Sequence, residues 1–270
     1  MNAPPAPGWH AVEIERIRPG ARAVDLDRCA VEAPLDIRLH GQSFVMTMRT
    51  PGDDADLAAG FLLSEGVITS ADDLVALVPS SDGTGVDVTL GSAAAAQLER
   101  HMAARRQVTA TSACGVCGRQ SADALAFDAA PITATWTIPS AVVDVLPARL
   151  RAAQTTFEQT GGLHAAGVFA LDGTLLESAE DVGRHNAVDK VLGRLLRARR
   201  LPLSGSVLCV SGRASFELVQ KAVRGGVPML VAVSAPSSLA IDLARQRGVT
   251  LAGFVRGDGF NVYAHAQRVA

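Results

Sequence analysis

The chain is poor in the residues that mark several common protein classes. Four cysteines occur in 270 residues, Cys29, Cys114, Cys117 and Cys209, too few and too scattered for the disulfide framework of a small secreted domain. Aromatic residues make up 4%, which argues against a surface that stacks bases of RNA or single-stranded DNA. Neither sign of charge dominates: 25 Lys and Arg against 27 Asp and Glu leave a formal net charge of -2. No general attraction to nucleic acid or to an anionic membrane follows, so an anionic ligand needs a local site. No uncharged apolar run reaches the length of a membrane span. Met1–Gly8 offers neither a basic nor an apolar leader region, and a cytoplasmic protein is expected.

What is present is apolar and regular. Hydrophobic residues make up 48% and charged residues 19%, enough to bury a sizeable core in one large domain or in two unequal lobes. Residues 1–10 are rich in Pro and Ala and read as a flexible arm. Val12–Arg18 alternates apolar and charged residues like a half-buried strand, and Leu35–Leu39 and Phe44–Met48 flank a hairpin turn at His40-Gly41-Gln42. Helical spacing runs from Asp54 to Glu65 and stops at Gly66. A strand at Val86–Leu90 and an Ala-rich helix from Ser92 to about Arg105 follow. Further on, Ala165–Ala170 and Thr174–Ser178 flank Asp172-Gly173, a strong hairpin signal. A helix is predicted from Glu180 to Arg197. Strands at Val207–Val210, Met229–Val233, Thr250–Arg256 and Phe260–His265 are interleaved with helices at Ser215–Arg224 and Ser238–Arg247. The expected fold is α/β with α+β character: a smaller mixed N-terminal lobe over 11–135 and an α/β ligand-binding lobe over 136–270.

Cys114 and Cys117 lie in Thr111-Ser-Ala-Cys-Gly-Val-Cys-Gly-Arg119. The glycines leave both sulfurs uncrowded, and Arg119 favours a thiolate. Three chemistries fit such a pair: structural zinc, thiol–disulfide exchange, and carriage of a persulfide. Zinc needs about four ligands, and one pair with two remote cysteines supplies them poorly; no resident metal is expected. Spacing alone does not separate the other two.

Two strand-to-helix junctions have the design of phosphate sites. Cys209-Val-Ser-Gly-Arg213-Ala-Ser215 passes through a glycine into a helix, and Val233-Ser-Ala-Pro-Ser237-Ser238 does so one unit later. Helix starts present unpaired N–H groups and partial positive charge, and Arg213, Ser237 and Ser238 add donors. Ser215 and Ser237 are equally good ordinary N-caps. In Glu180-Asp-Val-Gly-Arg-His185-Asn186-Ala-Val-Asp189-Lys190, four polar residues recur at spacing four, as either a site or a solvated helix face. His164, in Gly161-Gly-Leu-His-Ala-Ala-Gly167, is flanked by glycines and small residues.

Taken in order, these motifs resemble the formate dehydrogenase accessory sulfurtransferases of the FdhD type. The match covers the Cys114–Cys117 loop, Thr160–Gly167, Glu180–Lys190, Ser211–Lys221, Val233–Ser238 and Leu251–Arg256. The resemblance implies a cytidine-deaminase-like three-layer C-terminal part and a homodimer. It also implies a sulfur carrier that takes a persulfide from a cysteine desulfurase, with Cys114 as carrier and Cys117 assisting. The acceptor implied is the molybdenum cofactor, bis-molybdopterin guanine dinucleotide, before its insertion into formate dehydrogenase. The family's cofactor-binding segment falls on Phe254, Val255, Arg256, Gly257, Asp258 and Gly259. Arg213, Ser237 and Ser238 are then expected at the phosphates of this guanine nucleotide-like ligand, with His185 and Asp189 at the ligand or the cysteine loop. A chaperone that only binds cofactor, or a thiol–disulfide redox protein, remains the alternative. Deamination is excluded: deaminases use H-x-E followed by P-C-x-x-C. Here the cysteines come first, Ala113 replaces the proline, and His164-Ala-Ala166 lacks the carboxylate.

Overall fold

The computed structural model describes residues 8–96, 98 and 129–270. The chain starts with an antiparallel ribbon of β1 (Trp9–Arg18) and β2 (Ala21–Ala30). A four-stranded sheet of order β4-β3-β6-β5 follows, built from β3 (Ala33–Leu39), β4 (Gln42–Arg49), β5 (Leu74–Pro79) and β6 (Gly85–Leu90). The β3–β4 turn falls on His40-Gly41, both at positive φ (51° and 80°), the backbone that suits the twist of a tight hairpin. Strand alternation directs Leu35, Ile37 and Leu39 of β3 and Val86, Val88 and Leu90 of β6 into the interior. Helix α1 (Asp54–Ser64) is mostly buried, and Gly66 beyond it has φ 73°, a left-handed stop that favours glycine.

The second sheet has six strands in the order β12-β11-β10-β9-β7-β8. Its members are β7 (His164–Ala170), β8 (Leu175–Asp181), β9 (Ser206–Val210), β10 (Met229–Ala232), β11 (Thr250–Gly253) and β12 (Asn261–Ala264). The central β9, β10 and β11 run parallel, and the flanking strands are antiparallel. Both faces are covered, as parallel strands require. On one side α2 (Ser140–Ala152) brings Val143, Leu146 and Leu150 onto Phe169, Val207, Cys209 and Val231; α3 (Thr155–Thr160) follows it. On the other side lie α4 (Arg184–Arg197), α5 (Phe216–Arg224) and α6 (Ser238–Arg247). Their core is continuous with Leu35, Leu57, Leu62 and Val88, so one apolar core draws on both sides of residue 135. No helix among the described residues is long and apolar enough to cross a membrane.

The elements depart from expectation in particular places. The expected helix from Glu180 begins at Arg184, because Glu180 and Asp181 extend β8 and pair with Ala165 and His164. Strands expected to Val233 and Arg256 end at Ala232 and Gly253. The ribbon strand β2, strand β5 and helices α2 and α3 had no counterpart in the sequence reading. Helix is described at 92–96; the remainder of that expected helix, and the cysteine loop, lie outside the described residues.

Helices α1 and α4 join the two halves at backbone distance. A Cβ on Gly60 would run into the Asp189 carbonyl, and one on Gly193 into the Asp56 carbonyl. Neither neighbour is a flexible side-chain end. Gly60→Ala and Gly193→Ala should each lower the unfolding free energy by about 3 kcal/mol or more in urea titrations, since an overpacked core relaxes poorly. Gly205→Ala, where an added Cβ meets nothing within 4 Å, should stay within about 0.5 kcal/mol. Equal losses in all three would refute close helix contact as the cause.

Candidate functional site

The parallel strands end together, and their carboxyl ends feed the starts of α5, α6 and the 254–259 loop. Open α/β sheets gather ligands at such ends. Ser211 hydrogen-bonds β7 twice: its N–H donates to the Ala165 carbonyl at 3.0 Å, and its Oγ accepts from Ala165 N at 2.9 Å. The next two loops are sewn together by Ala214 N to Ala235 O (3.2 Å), Ser234 N to Gly212 O (3.3 Å) and Ser237 N to Ala214 O (3.0 Å). Phe254 N donates to Ser234 O at 3.3 Å. These loops form one hydrogen-bonded rim.

The sequence-selected residues fall on this rim unequally. Arg213 is exposed and, among the described residues, makes no hydrogen bond or ion pair. Ser237 is exposed, but its Oγ accepts from Ala240 N at 3.2 Å, so it caps α6. Ser238 is exposed beside it. Phe254 has φ 58°, a left-handed backbone that is costly for an aromatic residue, and its side chain is 39% exposed. Strain of this kind gathers at ligand-binding positions. Val255 is fully buried among the residues under α2, so its side chain anchors the loop. Arg256 donates from Nε to Val233 O at 3.3 Å, and Gly259 N donates to Asp144 Oδ1 at 3.3 Å. Gly257 and Asp258 are exposed at the loop tip. Cys114 and Cys117 lie outside the described residues.

The polar motif at Glu180–Lys190 resolves into two roles. His185 faces the rim: its Nε2 lies 2.7 Å from Glu217 Oε2 and 3.2 Å from Ser215 Oγ. Ser215 starts α5 without a side-chain cap bond, its hydroxyl being turned to His185. Asn186, Asp189 and Lys190 form neither an open site nor a solvated face, for all three are buried. Lys190 Nζ reaches Asp181 Oδ2 at 2.7 Å and the Thr50 carbonyl at 2.9 Å. Asn186 Nδ2 donates to Met48 O at 2.8 Å and Asp181 Oδ1 at 3.0 Å. Asp189, 1% exposed, accepts from Lys221 Nζ at 2.6 and 2.7 Å and from Ser64 Oγ at 2.7 Å. Its carboxylate therefore faces α1 and α5, and it positions those helices from behind the rim. The sequence reading gave Glu217 no role, since an acid in a first helical turn is ordinary, and it passed over Arg184 inside the quoted motif.

The electrostatics follow from burial. Burial lowers the His164 pKa, and the charges of Arg184 and His185 lower it further against the pull of Asp181. Burial alone would raise Glu217, yet the hydrogen bond and charge of His185, with Lys221 and Arg184, bring it below the usual carboxylate range. Burial pushes Asp189 up more than Lys221 and Ser64 pull it down. Cys209, wholly buried on β9, has its thiol pushed far up by burial and is no nucleophile at neutral pH. Cys29 is exposed, on strand β2. No group of three His, Cys, Asp or Glu side chains among the described residues is arranged to hold a metal.

The fold and rim define an α/β protein with a ligand edge at the carboxyl ends of three parallel strands. Residues 30–270 match the model of the FdhD/NarQ family, and the chain belongs to that family. It is 52% identical over 274 residues to a Streptomyces coelicolor protein named sulfur carrier protein FdhD, covering 96% of this chain and 94% of that one. It is 50% identical to a protein of the same name from Streptomyces avermitilis, with the same coverage. Among solved structures, a chain described as a formate dehydrogenase accessory protein from Desulfotalea psychrophila superposes with a TM-score of 0.78 at 28% identity. That match spans 98% of this chain and all of the other. A guanine deaminase from Nitrosomonas europaea reaches a TM-score of 0.34 over 49% of this chain, too slight a likeness to bear on chemistry.

The Asp189–Lys221 pair yields a direct test. Lys221→Met strands a buried carboxylate and should cost about 3–5 kcal/mol of stability at pH 7. The Lys221→Met, Asp189→Asn double variant should regain much of that loss in the same denaturant titration. A double variant as unstable as the single would show that lost packing, not lost charge, sets the cost.

Proposed function

We propose that this chain is a sulfur carrier serving a formate dehydrogenase, accepting sulfur as a persulfide on Cys114 and delivering it to a molybdenum cofactor that ends in guanine nucleotides. Membership of the FdhD/NarQ family over residues 30–270, with relatives named as sulfur carriers at about half identity, is the observation that carries the reading. The rim adds physical support: exposed Arg213, the strained and exposed Phe254, and helix starts facing one edge suit a phosphate-bearing, aromatic-ended ligand.

The chemistry needs few groups. The Cys114 thiolate attacks the terminal sulfur of a cysteine desulfurase persulfide; the new S–S bond forms as the desulfurase thiolate leaves. Attack by the Cys117 thiolate on Sγ of Cys114 then forms a disulfide and expels the outer sulfur as sulfide, carrying both electrons. A thiol reductant restores the pair. The rim residues hold the cofactor as cargo, with Arg213 at phosphate and the Phe254–Gly259 loop beside it. A homodimer in the cytoplasm, working between desulfurase and dehydrogenase, completes the reading.

Incubating the protein with a cysteine desulfurase and cysteine, followed by non-reducing peptide mass spectrometry, should show one added sulfur on the Cys114 peptide. Cys114→Ala should lose that sulfur and still bind GDP. Absence of added sulfur with GDP binding intact would replace the carrier by a cofactor-binding chaperone. Arg213→Ala should weaken GDP about tenfold, the worth of one charge-assisted hydrogen bond; unchanged affinity would remove Arg213 from the phosphates.

A further inference from the structure

The rim contains a cluster of basic groups that the sequence did not single out as a unit. His164 sits at the start of β7, Arg184 and His185 open α4, and Gly212 lies between them. The His164 Nδ1 and the Arg184 Cδ are 3.5 and 3.8 Å from where a Gly212 Cβ would stand. Glycine at 212 thus leaves a space walled by an imidazole and a guanidinium stem. Arg184 Nε is buried and has no acceptor among the described residues, an unsatisfied donor of the kind that native structures rarely keep without a purpose. Neither α4 nor α5 is closed by a side-chain cap, whereas Ser237 caps α6. The open donors lie at α4 and α5, one junction away from the serines that the sequence favoured.

We propose that His164 and Arg184, set around Gly212 at the uncapped starts of α4 and α5, bind the diphosphate of a guanine nucleotide, with the exposed Arg213 next to Gly212 in the chain, and that His164 takes up a proton as it binds. The proposal rests on the reading of the chain as a carrier of a guanine-terminated cofactor, and it names the subsite. The charges around His164 are accounted for. Asp181 is neutralised by Lys190 at 2.7 Å, Glu217 is engaged by His185 at 2.7 Å, and Asp189 is held by Lys221 at 2.6 Å. Arg184 and the exposed Arg213 remain for an anion. In the free protein, burial and the neighbouring cations disfavour the charged imidazole of His164. A diphosphate reverses that field and favours it. Binding is then linked to proton uptake and weakens as pH rises through the titration of the bound state.

Calorimetric titration with GDP, inorganic pyrophosphate and guanosine, in two buffers of different ionisation enthalpy at pH 7, tests this. GDP and pyrophosphate should bind with buffer-dependent heats that report uptake of a fraction of a proton. Arg184→Gln should weaken both about tenfold to hundredfold and leave guanosine unchanged. His164→Gln should weaken both severalfold and lose the uptake. If GDP binds Arg184→Gln as it binds the natural protein, without proton uptake, the subsite is wrong and the nucleotide reading survives. If pyrophosphate shows the Arg184 dependence and GDP binds no better, the anion site stands and the guanine reading falls. If no anion binds, both fall.

Discussion

The close approach of α1 to α4 is the constraint on which the rest depends. Gly60 and Gly193 allow two helices from opposite halves of the chain to meet backbone to backbone. At that distance no water fits between them, so polar groups nearby must find protein partners. They do: Asp181 takes Lys190, Asn186 and Thr50, while Asp189 takes Lys221 and Ser64. Buried pairs of this sort add little net stability, because desolvation offsets attraction, but breaking one is costly. Their effect here is geometric. They fix α4 against β8 and α5, and so fix where the starts of α4 and α5 point.

The second sheet turns that fixed geometry into a ligand edge. Because β9, β10 and β11 run parallel, each following loop emerges on the same side. The loop after β9 is hydrogen-bonded to β7 at Ser211–Ala165 and to the loop after β10 at Gly212–Ser234, and that loop in turn to Phe254 after β11. A ligand touching one loop therefore meets a rim that is already organised, with less ordering left to do on binding. A separate cavity of about 270 Å³, lined by Thr50, Asp53, Thr156, Glu180 and Lys190 among others, shares no lining residue with this rim. Its main cation, Lys190, is already committed to Asp181 and backbone carbonyls.

Much of this was legible in the sequence, and the reasons are local. The 164–181 hairpin follows from Asp172-Gly173, and the strand–helix alternation from Val207 to Arg247 follows from short apolar runs closed by glycine. The ribbon strand β2 was easy to miss because its Val24-Asp-Leu26-Asp alternation is only four residues long and points no apolar face into the core, nearly every residue in it being exposed. Helix α2 carries Pro147 in its interior, which reads as a break, and α3 spans only six residues. At the site, the spacing of His185, Asn186, Asp189 and Lys190 correctly grouped them on a helix. It did not show that three would be buried between halves, since burial there depends on α1, far away in sequence. Ser237 behaved as the ordinary cap that its type allows. The pairing of His185 with Glu217 joins residues 32 apart through folding alone.

Hydrogen–deuterium exchange with and without GDP tests the central claim most directly, that the ligand sits on the rim held by these helix starts. The account predicts protection of amides at 183–187, 212–218 and 254–259, with β3–β6 and the β1–β2 ribbon unchanged. Protection confined to residues around the Thr50–Lys190 cavity, or absent from 183–187 and 212–218 while GDP is bound, would contradict it.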